Sequence, residues 1–111
     1  MPAESMELLQ GTLDALVLRA LRGGPQHGYA VSRWIHERTD ATLRVDDAPL
    51  YKALHRLEHD GCVAAEWGIS EHGRRARFYR LTARGRRELR AKQSDLKRYM
   101  TAVFKAFEAD A

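Results

Sequence analysis

Residues 48–60 bring together side chains that could bind nucleic acid. Groove recognition needs a helix that begins with small or polar residues and carries hydrogen-bond donors along its exposed face. The residues that meet this demand are Pro49, Tyr51, Lys52, His55 and Arg56. At helical spacing the last four fall largely opposite Leu50, Leu54 and Leu57, which would form the buried face. The pattern predicts a helix that enters a major groove.

A second group of donors follows a glycine-containing turn. Arg74, Arg75 and Arg77 stand at or just after Ser70-Glu71-His72-Gly73, where arginines can reach phosphates or an adjacent minor groove. Segment 70–77 is therefore interpreted as a second DNA contact. Tyr29 is a further candidate for a phosphate contact, although it could equally lie at the edge of the core.

Other reactive side chains give weaker signals. His55 and His59 are four residues apart, but Arg56 stands where a zinc protease would need Glu, so no metal site is predicted. Cys62 is the single cysteine, and we interpret it as a small buried side chain, with a redox role as the alternative. The chain contains no phosphate loop and no nucleophile with a spaced base, so we predict neither an enzyme nor a cofactor.

The distribution of charge also indicates a polyanionic partner. The chain of 111 residues is long enough for one domain, and its net charge is +4. Residues 71–98 carry a net charge of +8, whereas residues 1–70 carry −3. The start of the sequence lacks a secretory signal pattern and no stretch is apolar enough for a membrane span, so a cytoplasmic location is expected.

The elements that must hold these side chains can be read from hydrophobic periodicity. A first helix ends at Gly23-Gly24-Pro25, and a second covers residues 27–38 before a polar loop at 39–47. Beyond helix 48–60, strands at 62–69 and 74–81 form a hairpin, and Trp34 and Trp67 are expected in the core or near an interface. Thr82 caps a last helix that extends to about residue 108. Three helices followed by a hairpin predict a mainly α winged helix-turn-helix, with the hairpin turn as its wing.

Four segments of the sequence resemble one family. They are Leu9-Gln10-Gly11-Thr12-Leu13, His27-Gly28-Tyr29, the stretch from Leu50 to Glu58, and Gly73-Arg74-Arg75 with Phe78-Tyr79-Arg80-Leu81-Thr82. In this order they resemble the PadR-type transcriptional regulators, in the short subgroup without a separate C-terminal domain. The resemblance implies a winged helix-turn-helix over residues 1–82 and a dimerisation helix over 83–111, together one compact unit. Ala48-Pro49 departs from the small hydroxyl residue that usually precedes the Leu-Tyr pair.

The resemblance further implies a homodimeric DNA-binding repressor whose dimer uses the last helix, with help from the first. The apolar stripe of the last helix supports this, because so small a domain cannot cover all of it, although folding back on its own domain is the alternative. The expected interface residues are Leu9, Leu13, Leu89, Leu96, Met100, Val103, Phe104 and Phe107.

Several partners follow from this interpretation. The main one is double-stranded DNA with an inverted-repeat operator, its half-sites about 34 Å apart. An aromatic effector between the subunits, near Leu96 and Met100, is implied by some members of the family. The alternatives are a nonspecific nucleic-acid-binding module and an aromatic small-molecule carrier.

Overall fold

The computed structural model describes residues 6–7 and 11–108. The helices are α1 (Leu13–Leu21), α2 (Gly28–Arg38), α3 (Asp47–His59) and α4 (Ala83–Phe107). The strands are β1 (Met6–Glu7), β2 (Gln26–His27), β3 (Leu43–Arg44), β4 (Val63–Ile69) and β5 (Arg75–Leu81). The predicted fold class, mainly helical with a β-hairpin, is confirmed.

The hairpin is part of a three-stranded antiparallel sheet. β4 pairs with β5 from Val63 opposite Leu81 to Ile69 opposite Arg75, as the alternating pattern predicts. β2 pairs with the other edge of β5, and this two-residue strand was not predicted. β1 and β3 form a separate parallel pair within the described residues.

The core lies between α1, α2, α3 and the base of the hairpin. Its fully buried side chains are those of Val17, Leu18, Leu21, Val31, Ile35, Leu50, Leu54, Leu57 and Tyr79. Trp34 packs against this cluster and is partly buried, in keeping with its predicted place. The cluster fixes the back of α3 and leaves its front open.

The outer half of the hairpin extends beyond this core. Val63 is buried at the start of β4, whereas Trp67 is 59% exposed and Ile69 is 68% exposed. The core position expected for Trp67 is therefore wrong, and its alternative, a position near the dimer interface, stays a prediction. Strand periodicity identifies the face on which Trp67 lies, but it does not show how far the core beneath that face extends.

The start of α4 is tied closely to the chain that follows α3. Thr82 caps the helix as predicted, because its Oγ1 accepts a hydrogen bond from the backbone N–H of Gly85 at 3.0 Å. The same oxygen lies 2.7 Å from the carbonyl oxygen of Gly61, and the backbone N–H of Thr82 donates to the carbonyl of Cys62 at 3.1 Å. A Cβ atom on Gly85 would lie 2.0 Å from that Cys62 oxygen, so only glycine fits.

Candidate nucleic-acid interface

The exposed face of α3 presents the predicted donors. Leu50 and Leu54 have no exposed area, and they anchor the opposite face of the helix in the core. Tyr51, Lys52 and His55 are exposed, and neither Lys52 nor His55 forms an ion pair with a residue that the structure describes. These donors are therefore held on a rigid helix and remain available for a ligand.

The first residues of α3 are also exposed. Asp46 occupies the N-cap position, and its carbonyl accepts from the backbone N–H of Leu50 at 3.1 Å, but its side chain makes no capping hydrogen bond. Pro49 lies in the first turn and is exposed. A groove could thus approach the beginning of the helix without meeting a bulky side chain at Pro49.

Tyr51 is held in place by α2. A Cβ atom built on Gly28 would lie 2.6 Å from the Tyr51 hydroxyl oxygen and 2.8 Å from its ring carbon Cζ. Gly28 therefore provides the space that the Tyr51 side chain occupies, and Tyr51 remains 41% exposed. The His27-Gly28-Tyr29 and Leu-Tyr segments, which are distant in sequence, meet at this contact.

Arg56 is engaged by another helix. Its guanidinium forms an ion pair with Asp14 on α1, with two hydrogen bonds to the carboxylate. The hydrogen bond that Arg56 donates to Asp14 is the main cause that raises the pKa of Arg56. Arg56 was predicted to contact DNA, which stays a prediction, and in this structure its exposed side chain also connects α3 to α1. No sequence pattern indicated Asp14, which is 42 positions away.

The three wing arginines differ in their surroundings. Arg77 donates to Glu58 at 2.8 Å, which connects the hairpin to α3. The guanidinium of Arg75 lies 4.4 Å from the ring centroid of exposed Trp67, within the range of a cation–π interaction. Arg74 is exposed in the turn and forms no ion pair within the described part of the chain. Arg74 is thus the wing arginine most available to a phosphate.

The exposed side of α2 adds a residue that sequence reasoning missed. Tyr29 is 65% exposed, and the Arg33 guanidinium lies 5.5 Å from the centroid of its ring. Arg33 also lies 3.9 Å from Glu71 in the wing turn. Arg33 could have been found from its spacing, because it stands four residues after Tyr29 and so shares a helical face with it. α2, α3 and the wing thus contribute to one surface.

The amino-acid sequence of this chain was compared with known protein families. Residues 17–91 match the transcriptional regulator PadR-like family. The chain belongs to the PadR-like family. The family is one of transcriptional regulators and not of enzymes, and membership implies DNA-binding regulation.

Solved structures agree with the PadR-like assignment. A PadR family transcriptional regulator from Eggerthella lenta is 31% identical, with a TM-score of 0.76 over 91% of this chain and 86% of its own. A transcriptional regulator from Clostridium thermocellum is 28% identical, with a TM-score of 0.78 over 86% and 93% of the two chains. A separate comparison with protein sequences finds an uncharacterised protein from Lysinibacillus sphaericus. It is 30% identical over 80 residues, which are 72% of this chain and 73% of that protein.

The apolar stripe of this PadR-like chain divides into two parts. Leu89 is only 5% exposed and belongs to the chain's own core, so its predicted place in an interface is not supported by its burial. Beyond it, Leu96, Met100 and Val103 are partly buried, whereas Phe104 and Phe107 are 62% and 77% exposed. Leu13 packs partly against the core, and Leu9 lies outside the described residues.

The remaining reactive groups of the PadR-like chain lie apart from this surface. Cys62 is buried, and desolvation is the main cause that raises the pKa of its thiol, so the thiolate that a redox sensor needs is disfavoured. Among the described residues no group of three or more His, Cys, Asp or Glu side chains could hold a metal ion. No helix in the described part of the chain is long and apolar enough to cross a membrane.

Proposed function

We propose that this PadR-like chain is a homodimeric, sequence-specific DNA-binding repressor that acts in the cytoplasm. In this proposal α3 enters a major groove, and the wing at residues 70–77 contacts the backbone or the adjacent minor groove. Two copies would read an inverted repeat with half-sites about 34 Å apart. Family membership supports the DNA-binding role, and the finer points depend on the surfaces described above.

One observation carries the proposal: α3 is buried along its back and carries donors without ion-pair partners on its front. Leu50 and Leu54 hold the helix, while Lys52 and His55 point away from the core. An exposed face without a partner favours recognition of an external ligand over a structural role. Base edges are suitable partners for such donors. Each good pair of hydrogen bonds to a base edge distinguishes the right base from a wrong one by about 1–3 kcal/mol.

The ion pairs guide our choice of the residues that would contact DNA bases. We assign base contacts to Lys52 and His55, with Tyr51 beside them. Arg56, tied to Asp14, instead orients α3 and neutralises part of its local charge. Arg74 contributes a phosphate contact, because it forms no ion pair with a described residue.

The second half of α4 supports a homodimer. Phe104 and Phe107 are exposed on a helix that continues beyond Leu89, the last of its buried residues among those described. Exposed aromatic side chains in a row are typical of an interaction surface. In the proposed assembly residues 83–111 pair with their counterpart, and an aromatic effector would bind near Leu96 and Met100 between the subunits.

Selection of bound duplexes from a random DNA pool tests sequence specificity. The selected site should be an inverted repeat that binds at least 100-fold more tightly than its scrambled version, and its affinity should fall steeply with salt. Lys52→Ala should weaken binding to the selected site by about tenfold or more and should change binding to the scrambled site less. The matched control is Arg38→Ala, which removes the same charge from the exposed end of α2, outside the proposed dimer and DNA contacts.

Three results would contradict the proposal. Equal affinity for selected and scrambled duplexes would favour a nonspecific nucleic-acid-binding module. Aromatic-ligand binding without any DNA binding would favour a carrier. In a reporter assay with the selected site placed over a promoter, increased transcription would show that the protein is an activator and not a repressor.

A further inference from the structure

The side of α3 that faces away from the core consists of two rows of side chains, because residues three or four positions apart share a helical face. The first row is Tyr51, His55 and Glu58, and the second is Lys52, Arg56 and His59. One member of each row forms an ion pair with another element: Glu58 with Arg77 of β5, and Arg56 with Asp14 of α1. One row is therefore linked to the hairpin and the other to α1.

The charges within α3 balance each other. Its two basic residues, Lys52 and Arg56, are matched by the two acidic residues Asp47 and Glu58. The part of DNA affinity that does not depend on sequence comes from cations that neutralise phosphates. With neutral histidines α3 adds no net charge to that part, so its contribution to binding depends on hydrogen bonds to bases.

In both ion pairs the acid lies deeper than its arginine. Asp14 and Glu58 are half-buried, whereas Arg56 and Arg77 are exposed. Arg56 donates to both carboxylate oxygens of Asp14, and Arg77 donates to Glu58 at 2.8 Å. Moving either arginine to a phosphate would leave a half-buried carboxylate without its partner charge, which is costly. Each acid therefore holds an exposed arginine away from the DNA backbone.

We propose that Asp14 and Glu58 determine the selectivity of the DNA surface on α3 and the wing, because they keep Arg56 and Arg77 from binding phosphates. This inference rests on the proposed function, in which α3 reads a base sequence. A phosphate contact carries no sequence information, whereas a base contact does. The same ion pairs fix the orientation of α3, on which base contacts depend. Loss of either acid should therefore strengthen nonspecific binding and weaken base recognition.

Fluorescence-anisotropy titrations of the full chain with the selected and the scrambled duplex test this inference. Asp14→Asn should raise the affinity for the scrambled duplex at least about threefold at low salt. The slope of log affinity against log salt should steepen by about 0.9, because one more phosphate is neutralised. The ratio of the two affinities, selected to scrambled, should fall. Glu58→Gln, which frees Arg77, should change these quantities in the same direction.

Two controls identify the cause of the change. Asp14→Asn/Arg56→Gln also removes the freed arginine, so its affinity for the scrambled duplex should return to that of the original protein or fall below it. Asp95→Asn removes the same charge and frees Arg98 on α4, outside the proposed DNA surface. This variant should bind both duplexes like the original protein.

Four results would overturn the inference. They are an unchanged affinity for the scrambled duplex, a constant ratio of the two affinities, an equal gain in Asp95→Asn, and a gain that survives Arg56→Gln. Weaker binding of both duplexes would likewise show that the acids have only a structural role. If Asp14→Asn melts at a lower temperature, Glu58→Gln repeats the test at the other ion pair. The original protein tests the proposed function separately, because equal affinity for the two duplexes would contradict that function before any variant is made.

Discussion

Removing the exposed phenylalanines of α4 should dissociate the proposed dimer. Phe104 and Phe107 are 62% and 77% exposed in the single chain. Burying one phenylalanine side chain fully contributes about 1.5–3 kcal/mol. Scaled by the exposed fractions, the double variant Phe104→Ala/Phe107→Ala loses about 2–4 kcal/mol per chain, and the middle of this range corresponds to about 6 kcal/mol per dimer. The second value corresponds to an increase in the dimer dissociation constant of about 10⁴-fold.

Sedimentation equilibrium over a wide range of concentrations measures this constant directly. The variant should be monomeric at concentrations where the original protein is dimeric, and its far-UV circular dichroism should keep the helical signal. The matched control is Trp67→Ala, which removes an aromatic side chain of similar exposure from β4. This control should leave the dissociation constant within about threefold of the original, because the proposed interface lies on α4.

Two results would refute the reasoning. If the Phe104→Ala/Phe107→Ala variant dimerises as tightly as the original protein, the interface lies elsewhere. If Trp67→Ala dissociates the dimer as strongly, exposure of an aromatic side chain does not identify the interface. A monomeric original protein at all concentrations would remove the homodimer from the proposed function.

Three further changes test the packing described above. Gly85→Ala should lower the free energy of unfolding by about 3 kcal/mol, because the new methyl group would collide with the Cys62 carbonyl; thermal melting measures this, with Gly23→Ala as the control in open space. Gly28→Ala should displace Tyr51 and weaken binding to the selected duplex by about tenfold in a fluorescence-anisotropy titration, and unchanged affinity would exclude Tyr51 from recognition. Because burial raises the pKa of Cys62, iodoacetamide at pH 8 should alkylate it at least ten times more slowly in the folded than in the unfolded protein; equal rates would show an accessible thiolate.

The sequence predicted the elements well because their signals are local. The cap at Thr82 and the breaks at Gly24 and Pro25 involve neighbours within four residues, and the apolar face of α3 repeats at helical spacing. These signals need no knowledge of the rest of the fold. The positions of α3 and of the hairpin turn followed directly from them.

Contacts between distant segments could not be predicted in this way. Arg56 and Lys52 have similar surroundings in sequence, and only the fold brings Asp14 to one of them. β2 is two residues long, so it has no periodicity to detect. Gly28 resembles an ordinary turn glycine, although its role is to leave space for a ring from another helix. The same limit explains why Trp67 was misplaced.

The junction at Thr82 gives the length of α4 a geometric consequence. α4 has 25 residues and is therefore about 37 Å long. If two copies join near the far end of this helix, a tilt of about 5° at the junction shifts that end and the joined copy by about 3 Å, almost the rise of one base pair. The hydrogen bonds from Thr82 to Gly61 and Cys62 resist this tilt. In the proposed dimer, the stiffness of this junction would therefore control the spacing between the two copies of α3.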